Sequence, residues 1–166
     1  SNFKIAVNLS DVQLRNQKLI TYVKYLCDIY KIDGRYIEFE ITEGILIKSY
    51  EDTLRSLYEL KKLGSTIALD DFGTGYSSLN YLTKLPIDAL KIDRSFVIDM
   101  IENHKSRWIV ENIIQLSHKL GIEVVAEGVE LEEQVDYLKS ILCDIVQGYF
   151  YSKPESFEKV VNLLEK

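Results

Sequence analysis

Six places in the sequence set side chains able to hold a cation or move a proton directly behind a short apolar run: Asn8 and Ser10, Glu40 and Glu43, Asp70 and Asp71, Lys91 and Asp93, Glu127 and Glu130, and Gln147. Gathering the four carboxylates Glu40, Asp70, Asp71 and Glu127 in one small space costs on the order of several kcal/mol unless protons or a divalent cation relieve it. A ligand set made only of oxygen, with neither cysteine nor histidine in it, selects Mg²⁺, Mn²⁺ or Ca²⁺ over zinc. Asn8 offers one more carbonyl oxygen. Taken singly, Asp70-Asp71 or the Glu40-Ile41-Thr42-Glu43 run is accounted for at least as well by helix capping. The recurrence at six strand ends is what argues for a site.

The elements that would position these residues follow from periodicity. β-rich runs at residues 4–9, 36–42, 66–70, 89–92, 123–126 and 145–150 alternate with runs whose apolar residues recur at three and four. The strand starts lie 22 to 34 residues apart, wide enough for a crossover helix each time. Helical stripes are expected at Leu19, Val23, Leu26 and Tyr30; at Leu54, Leu57 and Leu60; at Ile109, Ile113, Leu116 and Leu120; at Val135, Leu138 and Leu142; and at Phe157, Val160 and Leu164. Gly34, Gly64 and Gly121 stand where a left-handed residue would end a helix. Repeated βα units imply a parallel sheet, and a parallel sheet or βα barrel brings all strand carboxyl ends to one face. Within residues 36–42, Ile37, Phe39 and Ile41 share a face that would meet helices, which leaves Glu38 and Glu40 on the other, barrel-interior face. Glu38 reads as structural or solvated.

Composition narrows the function classes. The 166 residues are 46% hydrophobic and 28% charged, with a formal net charge of −6, a balance that argues against a surface that tracks a nucleic-acid polymer. An acidic chain acting on an anionic substrate needs cations. No apolar run approaches the roughly 20 residues that span a bilayer, and no signal peptide opens the chain, so the segment reads as cytoplasmic. Cys27 and Cys143 lie far apart with no paired-cysteine spacing and are expected as buried thiols, and His104 and His118 as helix-face residues. Asp71-Phe72-Gly73 matches the kinase metal-binding tripeptide, but the other kinase elements are missing. Gly73-Thr74-Gly75-Tyr76-Ser77-Ser78 lacks the lysine of a phosphate-binding loop. That run is expected to form a mobile loop over the mouth of a barrel.

The ordered motifs Val7-Asn8-Leu9-Ser10, Glu40-Ile41-Thr42-Glu43, Asp70-Asp71-Phe72-Gly73-Thr74-Gly75-Tyr76-Ser77-Ser78-Leu79, Leu90-Lys91-Ile92-Asp93, Ala126-Glu127-Gly128-Val129-Glu130 and Gln147-Gly148-Tyr149 resemble the EAL domain of bacterial cyclic di-GMP phosphodiesterases. The resemblance runs from about Val7 to Pro154. It implies a TIM-type α/β barrel that hydrolyses cyclic di-GMP to linear pGpG with two Mg²⁺ or Mn²⁺ ions, Ca²⁺ being inhibitory. By motif, Asn8, Glu40, Asp70, Asp71 and Glu127 would bind metal; Lys91, Glu127 and Gln147 would serve catalysis. Glu43 would anchor the loop over residues 71–79, in which Gly73, Thr74, Gly75, Tyr76 and Ser77 face substrate. The family also implies a homodimer in bacterial second-messenger signalling, with sensory or GGDEF domains in a parent protein that other domains could tether to a membrane.

The resemblance departs at the front. The family pattern begins with two strands ahead of the Asn8 position, the second carrying a Glu-Ala-Leu tripeptide followed by an arginine. That tripeptide occurs nowhere in this sequence, Asp88-Ala89-Leu90 belonging to a later strand. The expectation is a single truncated domain over residues 1–166, an incomplete barrel of about six βα units with impaired or no activity. The alternatives are a sensor that binds cyclic di-GMP without cutting it and a protein-interaction module.

Overall fold

The computed structural model describes residues 3–47, 50–75 and 82–164. Six strands, β1 (Ile5–Asn8), β2 (Ile37–Thr42), β3 (Thr66–Phe72), β4 (Ala89–Ile92), β5 (Glu123–Glu127) and β6 (Ile145–Gln147), form one sheet in sequence order. Every neighbouring pair is parallel. The sheet curls into an incomplete TIM-type barrel with helices on its outer side. These helices are α1 (Asp11–Leu14), α2 (Leu19–Tyr30), α3 (Tyr50–Lys62), α4 (Arg94–Asp99), α5 (His104–Lys119), α6 (Glu132–Ser140) and α7 (Phe157–Leu164).

Register assigns the two faces. The pairs Asn8↔Glu40, Glu40↔Ala68, Ala68↔Ala89, Lys91↔Val125 and Glu127↔Gln147 line the inner face. The alternating residues Phe39, Ile41, Ile67, Leu69, Leu90, Ile92, Val124 and Ala126 point outward, where helices bury them. α3 carries acids in its first turn and Lys61 and Lys62 in its last, matching the helix dipole. Its Leu57 and Leu60 are fully buried against the sheet. Truncating either to alanine would cost about 2–5 kcal/mol. Asn103 caps α5 by accepting from the N–H groups of Lys105 and Ser106, and Asp93 caps α4 at Ser95.

At the amino-terminal rim two aspartates hold register in the same manner. Asp88 accepts from Ile67 N–H at 2.9 Å and pairs with Lys61; Asp144 accepts from Val124 N–H at 2.8 Å and contacts His118. Each ties the start of the preceding strand to the turn entering the next. This rim belongs to stability and the opposite rim to chemistry.

Several expectations are corrected. Gly34 does not end a helix: Lys31, at φ 57°, is the left-handed residue after α2. Gly34 is required instead by packing, because a Cβ there would lie 2.0 Å from the Leu63 carbonyl oxygen. Gly64 and Gly121 do adopt positive φ. The last strand stops at Gln147 rather than residue 150, and β3 runs on to Phe72. Leu142 falls outside the buried stripe, being 74% exposed just past α6, and no α2 residue is fully buried. Cys27 and Cys143 are half-buried.

Candidate active site

On the inner face, Lys91 stands among carboxylates from three other strands. Its side chain is only 7% exposed, and its Nζ lies 2.6 Å from Glu40 Oε1, 3.3 Å from Asp70 Oδ1 and 2.7 Å from Glu127 Oε1. Parallel pairing brings this about: β2, β3 and β5 each carry an inward carboxylate near the carboxyl end, and β4 places the lysine among them. Burial alone would push the Lys91 amine down. The hydrogen bonds that the ammonium donates to Glu127 and Glu40, with the charges of Glu127 and Asp70, outweigh burial and hold it charged beyond the ordinary lysine range.

The double aspartate owes its geometry to an irregularity. Leu69 pairs with Leu90 and Phe72 with Ile92, so Asp70 and Asp71 together stand opposite Lys91 alone. This is a β-bulge, which bends the strand and re-aims a side chain. Asp71 takes a left-handed φ of 55° and donates its N–H to Asp70 Oδ1 at 3.0 Å. Asp tolerates that conformation because its short polar side chain bonds locally. Regular alternation would send Asp71 to the helix side of the sheet. With the bulge, carboxylate oxygens of Asp70, Asp71 and Glu127 all lie within 4.8 Å of one another.

Four carboxylates, Glu40, Asp70, Asp71 and Glu127, against one ammonium leave a formal charge of −3. Burial, then the charges of Asp70 and Asp93, raise the Asp71 carboxyl above its ordinary range despite Lys91. Burial likewise raises Glu127, with Lys91 opposing. An excess of negative charge on oxygen donors alone fits a hard divalent cation, and among the described residues Asp70, Asp71 and Glu127 bring oxygens close enough to share one.

Asn8 lies opposite Glu40 in register and is exposed at the sheet edge; Gln147 lies opposite Glu127 and is also exposed. Glu43, 7% exposed, begins a 3₁₀ turn after β2 and its Oε2 accepts the Gly75 N–H at 3.2 Å. Thr74 folds back on the Asp71 carbonyl, and Gly73, at φ 100°, abuts the ring of Phe96. Tyr76 and Ser77, the remaining expected substrate-loop residues, lie outside the described residues, as do Ser78 and Leu79.

Three further residues shape the rim. Arg94, Glu127, Glu130, Gln147 and Tyr149 line a cavity of about 180 Å³ beside the carboxylates. A Cβ on Gly128, which has φ 73°, would come within 2.6 Å of Arg94 Cβ. Buried Gln134 accepts the N–H groups of Glu130 and Leu131 at 2.8 and 2.9 Å and donates to the Val97 carbonyl at 3.2 Å, binding the turn after β5 to α4. Arg94 directly follows the Leu90–Asp93 motif, which was a usable signal. Gln134 reads in sequence as an ordinary helix residue, and only the fold shows its contacts.

The sequence matches the family model described as "EAL domain" over residues 1–154. A relative, cyclic di-GMP phosphodiesterase NbdA of Pseudomonas aeruginosa, is 40% identical over 91% of this chain and 19% of its own length. The chain spans about a fifth of the length of the curated relatives it matches. Among solved structures, the PaMucR phosphodiesterase in complex with cyclic di-GMP superposes with a TM-score of 0.89 at 36% identity, covering 95% of this chain and 64% of that one. The EAL domain of Mycobacterium smegmatis DcpA gives 0.92 at 36% identity, covering 98% and 73%.

Proposed function

The chain belongs to the EAL domain family, and on that premise we propose that it hydrolyses one phosphodiester bond of cyclic di-GMP to give linear pGpG, assisted by Mg²⁺ or Mn²⁺. The observation that carries the reading is the meeting of Asp70, Asp71 and Glu127 oxygens within 4.8 Å at the carboxyl ends of the strands. The chemistry that bound divalent ions would supply there is a lowered pKa for water and an offset to the charge of the phosphate. Asp70, Asp71, Glu127, Glu40 and Asn8 would hold them. Lys91, held by Glu40 and Glu127, orients the attacking water and counters charge building on the phosphate oxygens. Glu127, whose carboxyl burial raises above its ordinary range, takes the water's proton. Gln147, opposite Glu127 in register, orients the water from the β6 side. The water oxygen bonds to phosphorus, the bond to the ribose 3′ oxygen breaks, and that oxygen is protonated from solvent.

The same reading takes residues 1–166 as a single cytoplasmic domain that works as a homodimer, joined in its parent to sensory or GGDEF domains, with no nucleic-acid polymer as partner. No described helix is long and apolar enough to cross a membrane. Because the family's Glu-Ala-Leu glutamate is not among the residues of this sequence, turnover by the 166-residue chain is expected to be slow. The test is calorimetric titration with cyclic di-GMP in Ca²⁺, then incubation in Mg²⁺ or Mn²⁺ with chromatography of products. Binding in Ca²⁺ with slow pGpG formation in Mg²⁺ or Mn²⁺ is the expected result. Binding without product in any ion would make the chain a sensor, and no binding would make it an interaction module.

A further inference from the structure

Two of the three carboxylates placed to share a divalent ion, Asp70 and Glu127, are the ones Lys91 already engages, at 3.3 and 2.7 Å. The third Lys91 partner, Glu40, is 7% exposed and has no other described cation within reach. A buried carboxylate stripped of its counter-charge is strongly destabilising, so with no ion bound these acids depend on the ammonium. A divalent ion at bonding distance from Asp70 and Glu127 would lie within a few ångströms of Nζ, about 2.0–2.1 Å being usual for Mg²⁺ to oxygen. Like charges that close inside a protein repel strongly.

We propose that Lys91 is the resident counter-ion of the ion-free site, and that its ammonium must give up Asp70 when a divalent ion binds. The inference rests on the metal-dependent reading above and adds a second task to Lys91. In the ion-free protein it keeps the acidic strand ends together, and it thereby sets a threshold against binding.

The test compares the wild-type chain with Lys91→Met, which keeps the length of the side chain and removes its charge. Melting is followed in EDTA and in Mn²⁺, and Mn²⁺ affinity is measured by calorimetry without nucleotide. The expected result is a melting temperature lowered by about 5 °C or more in EDTA, restored by Mn²⁺, together with Mn²⁺ binding about 10-fold tighter than wild type. An unchanged melting temperature in EDTA, or Mn²⁺ binding equal to or weaker than wild type, overturns the inference. If the variant folds in neither condition, crystals of the wild type with and without Mn²⁺ decide. Nζ outside hydrogen-bonding range of Asp70 in the loaded form supports the proposal, and an ammonium still on both Asp70 and Glu127 beside bound ions overturns it. A wild-type chain that binds no Mn²⁺ overturns the metal reading as well, whereas Mn²⁺ binding without the tightening overturns this inference alone.

Discussion

Gly148 and Val129 meet backbone to backbone in a contact that admits no side chain. A Cβ on Gly148 would sit 2.1 Å from the Val129 carbonyl oxygen and 2.3 Å from its nitrogen. The contact is closed by Val129 N–H donating to the Gln147 carbonyl at 3.1 Å and Phe150 N–H donating to the Val129 carbonyl at 3.0 Å. The loop after β5 and the end of β6 are thus stapled immediately beyond Glu127 and Gln147.

Gly148→Ala should therefore push β6 away from the turn after β5. Overpacking against backbone, which cannot rotate aside, costs about 1–3 kcal/mol or more. Both the melting temperature and nucleotide turnover should fall, because Gln147 moves with the strand. A variant with wild-type melting and turnover would show that the turn yields freely.

Asp70→Asn and Glu40→Gln should each lose at least about 100-fold in turnover, in line with loss of a metal-site component. Each change removes an anionic oxygen that also faces Lys91, at 3.3 and 2.6 Å. The assay belongs at saturating Mg²⁺, where weakened affinity alone is masked. Near-normal rates in either variant would sink the metal assignment.

Glu43→Ala should release the loop that begins at Asp71. Gly75 donates to Glu43 Oε2 from so close that a Cβ on Gly75 would lie 2.9 Å from that oxygen. The expected outcome is weaker Mn²⁺ binding or slower turnover with the fold retained. If a lower melting temperature is the whole effect, Glu43 is a structural residue beneath the loop.

How much of this was legible in the sequence depends on the kind of interaction. Alternation over residues 36–42 gave the correct face to Glu40 because strand parity is a local property. Alternation alone could not have given Asp71 its face: a bulge is a mismatch between two strands, visible only when Leu69↔Leu90 and Phe72↔Ile92 are counted together. Gly34 misled for a similar reason. Its freedom from a side chain answers to the Leu63 carbonyl, 29 residues on, and not to its own φ. The helix stripes held at Leu57, Leu60 and Leu138, which face the sheet, and failed at Leu142, where the helix had already ended. The expected strand over residues 145–150 exceeds β6 because Tyr149 and Phe150 have strand-like side chains but lie in the turn that Val129 pins.

Alkaline stability depends on a contact away from the carboxylates. Tyr137 on α6 contacts the Glu111 carboxylate on α5 through its hydroxyl, and the Arg107 guanidinium sits 5.0 Å from its ring centre while donating to the Met100 and Ile101 carbonyls. Burial, then the hydrogen bond and charge of Glu111, push the Tyr137 hydroxyl up to about 12, with Arg107 opposing. In the unfolded chain the same group ionises near 10. Between these values the unfolded chain releases a proton that the folded one keeps, so unfolding is favoured as pH rises. The Tyr137 contribution is fully present below about pH 10 and is lost between about 10 and 12. Cys143, pushed up to about 11 chiefly by burial, adds a slope of the same sign beginning near 9. Tyr137→Phe keeps Cys143 and removes only the hydroxyl, so the thiol cancels between the two proteins. Urea unfolding at pH 8, 9, 10 and 11 should show wild type losing more stability than the variant from 10 to 11 and the two running parallel below 9. Parallel curves across the whole range would mean that Tyr137 ionises alike in the folded and unfolded chain, and that its contact with Glu111 is too weak to couple α5 to α6.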